Sequence, residues 1–573
     1  TGAFDELGRL YIGESSGTND KVQVQLEQKP HNILRLEDTD GDGKFDKRTV
    51  FADKMMFPEG TMWLDGSLYV AAPPSIWKLT DTDGDGVADK REEWFQGKTL
   101  TGCANDLHGP YLGPDGWIYW CKGAFAEQTY ERPGRKPLVT KAAHIFRCRP
   151  DGTGIEPVKT GGMDNPVDVV FTPGGERIFT TTFLQNPGGG LRDGLIHAIY
   201  GGVYGKVQPT IDSHPQTGGL MPPLVHLGAA APCGLTTYES RVFGDEYQNN
   251  LFAALFNMHK ITRHVLTPDA GTFKSKDEDF LVAESLDFHP TDVLEDADGS
   301  LLVIDTGGWY KLCCPTSQLH KPDVLGGIYR IRKRSASRHT DPRGLQLKWG
   351  PPLEIVGRLD DSRSVVRERA KQSLAAHGKD AVPALEIVLR NTRFPEGRRN
   401  AVWTLMRIAD PKGAALIRSV LMDRDDQLQQ VALYGVSLNR DQEALPQLLT
   451  ILADETAAIP NRRLAAEAIG RIGHKSAVSN LLRAAGQKNS RALEHSILYA
   501  LIEIQDAKGT AQGLASNDAG TKRAAFIALS EMEDGNLKAQ DVAPLLTSSD
   551  ALLRETATWT MGRHPDWGND LAG

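Results

Sequence analysis

The stretch Asn105-Asp106-Leu107-His108-Gly109-Pro110, running on into Leu112-Gly113-Pro114-Asp115-Gly116-Trp117-Ile118-Tyr119, decides how the first half of the chain is read. A polar turn with one histidine leads into a strand, a Pro-Asp-Gly turn and a second strand. An Asp-Gly turn between two apolar runs signals a hairpin. The histidine therefore stands at a strand entrance, where a rigid scaffold can aim it into a cleft.

The same unit recurs around Gly8, Gly66, Gly116, Gly175 and Gly299, with Asn250 in the glycine's place in the fifth copy. These turns lie about fifty to seventy-five residues apart, a spacing of blades rather than solenoid coils. Each hairpin is followed by one more short strand, opening at Ile33, Ile76, Ile145, Ile196, Ile261 and Ile328. Six such units predict an all-β six-bladed propeller over residues 1–334, with His108 facing its central pocket. The closing strand is expected from residues upstream of Thr1, which begins the sequence without a Met.

After Arg334 the period changes. Residues 335–350 read as a polar, basic linker, and residues 351–573 as an all-α solenoid. Small or apolar residues pair four positions apart, as Ala370/Leu374, Ala401/Leu405, Ala432/Val436, Ala465/Ile469, Ile497/Leu501, Ala525/Leu529 and Ala557/Met561. That offset puts both members on one helix face, and the pairs recur about every thirty residues, as in HEAT-type helix pairs. No polar capping repeat follows Trp567, so the natural chain is expected to continue.

At 573 residues the chain is too long for one core. A net charge of -9 and the absence of a basic run argue against nucleic acid. No apolar run is long enough to span a bilayer. The six cysteines form no CxxC and no CxxCH, which excludes haem attachment and a thiolate zinc site within this chain. Cys313 and Cys314 are adjacent, and read as two reduced thiols rather than a strained vicinal disulfide.

Asp81, Asp83, Asp85, Asp89 and Glu92, with the carbonyl of Val87, fit the spacing of an EF-hand-type Ca2+ loop, and glycine stands at the sixth position. Asp38, Asp40, Asp42 and Asp46 repeat it with Thr49 in place of the final glutamate. No flanking helix pair is apparent, so both read as structural clips. His108 is the candidate general base, since imidazole titrates near neutrality. Asp106 is placed to orient it, with Asn105 beside it. Asn165, ahead of the fourth hairpin, is a candidate lining residue at the same mouth.

These segments resemble a known family. His108-Gly109-Pro110, Asn165-Pro166, Asp193-Gly194-Leu195-Ile196, Gly201-Gly202-Val203-Tyr204-Gly205 and Gly327-Ile328-Tyr329-Arg330-Ile331 are similar to the soluble glucose/sorbosone dehydrogenase superfamily of six-bladed quinoproteins. A closer likeness, along nearly the whole chain, is to the PVC-type haem-binding CxxCH proteins, also labelled membrane-bound dehydrogenase domain proteins. In those a propeller is followed by HEAT repeats and a c-type cytochrome.

The resemblance implies oxidation of a sugar or alcohol by pyrroloquinoline quinone (PQQ), with His108 as base and a carbohydrate or other small polyol as partner. It puts Asn165 at the quinone; Lys122, Lys311 and Arg192 are candidates to supply replacement positive charge there, and Asn105 and Tyr204 are further candidate cofactor-binding residues. The relatives carry arginine where this chain has Asp164. Haem c would require a cytochrome module outside this chain. The implied setting is extracytoplasmic, periplasmic or cell-surface, with a cytochrome or other protein on the HEAT surface. The alternative is a non-catalytic, calcium-stabilised propeller that binds carbohydrate or protein. Lactone hydrolysis on a related propeller ranks below both.

Overall fold

The computed structural model describes residues 1–101, 107–132, 136–162, 165–182, 191–310, 319–335 and 339–568. Six antiparallel blades stand in a ring, in chain order. Their innermost strands are Gly2–Phe4, Gly60–Leu64, Leu107–Leu112, Asn165–Phe171, Pro232–Tyr238 and Pro290–Glu295. Each inner strand touches the next around the circle. The six predicted hairpins supply the second strands, and the isoleucine-led runs fall in or at the third. Second strands such as Ser67–Ala72 and Asn250–Leu255 are buried throughout, because neighbouring blades cover both faces.

The turns of blades 1, 3, 4 and 6 repeat one geometry. Gly116 N–H donates to Gly113 O at 2.9 Å and Gly175 N–H to Thr172 O at 2.8 Å, with both glycines left-handed at φ +79° and +87°. This is the three-residue hairpin with a bulge, which needs a residue that accepts positive φ. In the fifth blade that residue is Asn249, at φ +59°, and not Asn250, which opens the strand.

The ring closes between blades 6 and 1. Gly2–Phe4 is itself the inner strand of blade 1, and Gly2 N–H donates to Asp292 of blade 6 at 2.8 Å. Three residues are too few to show a period, so the sequence hides this strand. Among the described residues blade 6 has three strands, ending in Gly327–Ile331, where the other blades have four or five.

A helical solenoid follows, from Pro352 onward. The predicted pairs lie in the helices Ser364–Ala376, Pro395–Ile408, Asp426–Asn439, Ile459–Ile472, Arg491–Ile504, Ala519–Glu531 and Ala551–Arg563. Nearly all their members are buried. Arginines staple successive units. Arg398 donates to Leu389 O at 2.8 Å and to Asp423 at 2.6 Å, and Arg462 donates to Leu452 O at 3.1 Å and to Gln487.

The solenoid packs on the turn ends of blades 3 and 4, away from the strand starts that carry His108 and Asn165. Tyr434 OH donates to Asp115 at 3.0 Å, Arg407 donates to Pro114 O at 3.0 Å, and Arg463 pairs with Glu176. Among the described residues no helix is long and apolar enough to cross a membrane.

Candidate functional site

The strand starts meet at one mouth. There a cavity of about 1380 Å3 is lined by His108, Glu59, Asn165 and Arg192. It continues outward between blades 1 and 6, past Leu34, Leu36, Phe45 and Ile328. The blades crowd closely here. A Cβ on Gly60 would lie 2.1 Å from Gly109 O, so only glycine lets the inner strands of blades 2 and 3 approach.

His108 is 8% exposed and its Nδ1 lies 3.5 Å from Glu59 Oε2. Burial pulls its pKa down to about 4, against the opposing hydrogen bond to the Glu59 backbone, so the ring is neutral near pH 7. Its Nε2 is buried and has no hydrogen-bond partner among the described residues. Among the described residues the carboxylate beside Nδ1 is that of Glu59, which the sequence reading missed. Asp106 and Asn105 lie outside the described residues. Glu59 stands at the start of the blade 2 inner strand, the counterpart of the His108 position one blade on. Only alignment of strand starts could have singled it out.

Asn165 and Arg192 lie on the cavity wall as expected, and Arg192 Nε is 3.3 Å from Asp193 Oδ1. Lys122 and Tyr204 do not reach it. Lys122 is fully buried, with Nζ donating to the carbonyls of Gly123 at 2.8 Å and Ala142 at 3.1 Å. Tyr204 sits on the outermost strand of blade 3, four strands from the channel, and donates to His197 O at 2.7 Å. Lys311, Asp164 and the Cys313–Cys314 pair lie outside the described residues.

Two buried carboxyls serve the ring instead. Asp168 accepts from Leu235 N–H of blade 5 at 2.8 Å, and Asp292 accepts from Gly2. Burial raises the pKa of both, and for Asp168 the Asp292 charge adds to it. They clip blade to blade.

The acidic loops join third to fourth strands. The ligand atoms of Asp38, Asp40 and Asp42, and likewise of Asp81, Asp83 and Asp85, lie within 4.8 Å of one another. The remaining predicted ligands do not join them. Asp46 accepts from Thr39 N–H at 3.0 Å and Asp89 from Thr82 N–H at 2.9 Å. Glu92 rides on the strand Lys90–Gln96, with Lys90 Nζ at 2.9 Å. A strand after the loop carries the twelfth residue away, whereas an EF-hand helix would bring it back. Val87 N–H donates to Asp85 at 2.7 Å.

Residues 1–335 match the model of a family described as a domain of unknown function, DUF7133. The chain belongs to the DUF7133 family. No curated protein matches it. Among solved structures, this DUF7133 protein is similar to an oxidoreductase (glucose dehydrogenase) of Thermus thermophilus, at 18% identity over 53% of this chain and 89% of that one, with a TM-score of 0.36. It is similar to the holo pyranose dehydrogenase PQQ domain of Coprinopsis cinerea, at 12% identity over 53% and 88% with a TM-score of 0.36. It is also similar to a calcium structure of a carbohydrate-active family AA12 enzyme of Trichoderma reesei, at 12% identity over 53% and 89% with a TM-score of 0.35. Likenesses this distant bear on neither activity nor cofactor.

Proposed function

We propose that the propeller is a dehydrogenase acting on a hydroxyl group of a sugar or other polyol. One observation carries this reading: a neutral, buried imidazole, with Nε2 unpartnered among the described residues and Glu59 at Nδ1, on the wall of the mouth cavity. A carboxylate at Nδ1 favours the tautomer that leaves Nε2 as acceptor. The substrate hydroxyl gives its proton to Nε2, and Glu59 stabilises the imidazolium that forms. The carbon loses a hydride and the C–O bond becomes a carbonyl.

Pyrroloquinoline quinone, when bound, supplies the hydride acceptor. The donor set suits it in part: the Asn165 amide and Arg192 guanidinium would hold its carbonyl and carboxylate oxygens. Ca2+ at Asp81, Asp83 and Asp85, and at Asp38, Asp40 and Asp42, would stiffen the blades. The family resemblance further suggests an extracytoplasmic setting, electron transfer to a c-type cytochrome, and a HEAT-type docking surface.

The positions of Lys122 and Tyr204 favour a second reading, a non-catalytic carbohydrate-binding propeller, because they leave fewer polar groups for a tricarboxylate. Titration with the quinone and Ca2+, then dye reduction with a panel of sugars, separates the two. Sugar-dependent reduction that is lost in His108→Gln supports the dehydrogenase. Tight glycan binding without quinone binding supports the binding module.

A further inference from the structure

We propose that the mouth carries an aromatic glycan subsite, built by Phe57 and Trp309 beside His108, so that its ligand is an oligosaccharide rather than a single sugar. The inference rests on the reading of the mouth as a sugar site.

Phe57 and Trp309 line the same cavity as His108 and Glu59, and both are half-buried. Their ring centroids are 5.8 Å apart, and His31 packs edge-on against Phe57 at 5.6 Å. The wall is set in advance. Trp309 Nε1 donates to Thr18 O at 3.0 Å, while His31 is held by Gln25 Oε1 at 2.8 Å and by Ser16 N–H at 3.1 Å.

Phe57 has φ +35°, a left-handed conformation that a bulky residue adopts only under backbone strain. Such strain persists where surrounding structure fixes it, and it gathers at ligand clamps. Phe57 precedes Glu59 by two residues, so their Cα atoms lie at most about 7 Å apart and both side chains line the one cavity.

The chemistry selects a sugar. A pyranose has an apolar C–H face for an aromatic ring and a hydroxyl rim for polar groups. Glu59, Asn165 and Asp305 supply such groups in the same cavity. A volume of about 1380 Å3 exceeds the roughly 300–1,000 Å3 of a small-molecule pocket, and the extension between blades 1 and 6 accommodates further units.

The test uses the full chain with glucose oligomers of one to six units, α-1,4- and β-1,4-linked. Calorimetric binding is measured alongside KM and kcat in wild type, Trp309→Ala, Phe57→Ala and the ring-retaining Trp309→Phe. The proposal expects affinity to rise at least tenfold from one unit to two or three in one linkage series. Both alanine variants should lose that gain with monosaccharide affinity and kcat unchanged, and Trp309→Phe should keep most of it. Affinity independent of length, or a gain that survives both alanine variants, overturns the subsite. Sugar oxidation without length dependence sinks the subsite alone. Length-dependent binding without oxidation of any sugar sinks the dehydrogenase alone and leaves the subsite standing.

Discussion

At His108 two influences oppose each other: burial disfavours the imidazolium, and Glu59 favours it. Burial wins, and the pKa falls to about 4. If His108 is the base, turnover stays flat from pH 8 down to about 5 and declines only toward about 4, rather than near the ordinary histidine value of about 6.5. A pH–rate profile of dye reduction checks this. His108→Gln should lower turnover by about 10²-fold or more, the usual worth of a general base. Glu59→Gln should lower kcat without abolishing it, since the ring keeps its hydrogen bond to the Glu59 backbone. The histidine was legible in the sequence because its turn-strand setting is local. Its partner was not, because Glu59 and His108 are neighbours only through the contact of two blades.

Strands and helices meet mainly through arginine. In the first acidic loop Gly43 packs under Arg332 of blade 6, and in the second Gly86 packs under Arg35 of blade 1, whose Nη1 is 3.8 Å from Asp81. The second loop therefore joins blades by charge, and the first through arginine bonds to the backbone oxygens of Asp42 and Gly43. If Asp81, Asp83 and Asp85 hold Ca2+, excess calcium raises the melting temperature and chelation reverses the rise. At a hundredfold excess over Kd the gain is about 2.7 kcal/mol. Asp83→Asn together with Asp85→Asn should remove most of it, as calorimetry will show.

Between propeller and solenoid, Arg463 is fully buried against Glu176, which also accepts from Gln430 at 2.8 Å and contacts His197 at 2.8 Å. Arg463 and its fellow charges hold the Glu176 carboxyl well below the usual carboxylate range despite its burial. Arg463→Ala leaves that carboxylate short of its main counter-charge and should cost about 3 kcal/mol in urea unfolding. The basic residues ahead of each helix pair were visible in the sequence. Which of them bind the next helical unit, as Arg398 does, and which reach the propeller, as Arg463 does, was not, because adjacent helix positions point to different faces.

The whole molecule buries several neutral histidines. Burial lowers the pKa of His31, His108 and His214 to about 4 and of His495 to about 3. In the unfolded chain each takes up a proton below about 6.5. The unfolded state therefore binds more protons between about pH 6.5 and 4, and stability falls as pH falls through that window. Denaturant midpoints measured from pH 7 to 4 should drop, less steeply than the histidines alone would give, because the raised Asp168 and Asp292 carboxyls act in the opposite sense. His495 Nε2–H donates across the interface to Tyr200 O at 2.9 Å, so the loss involves both halves together.

The sequence by itself determined six hairpins, six third strands and a run of amphipathic helices, because each is written in local periodicity and in turn residues that must accept positive φ. It also placed His108 at a strand entrance. Only the tertiary structure decided the rest. It put Glu59 behind His108, sent Lys122 and Tyr204 away from the cavity, parted Glu92 from its loop, and set Gly2–Phe4 as the inner strand of blade 1 against blade 6. Each of these depends on which segments lie beside one another once blades pack face to face, and residues far apart in the chain leave no common period to be read.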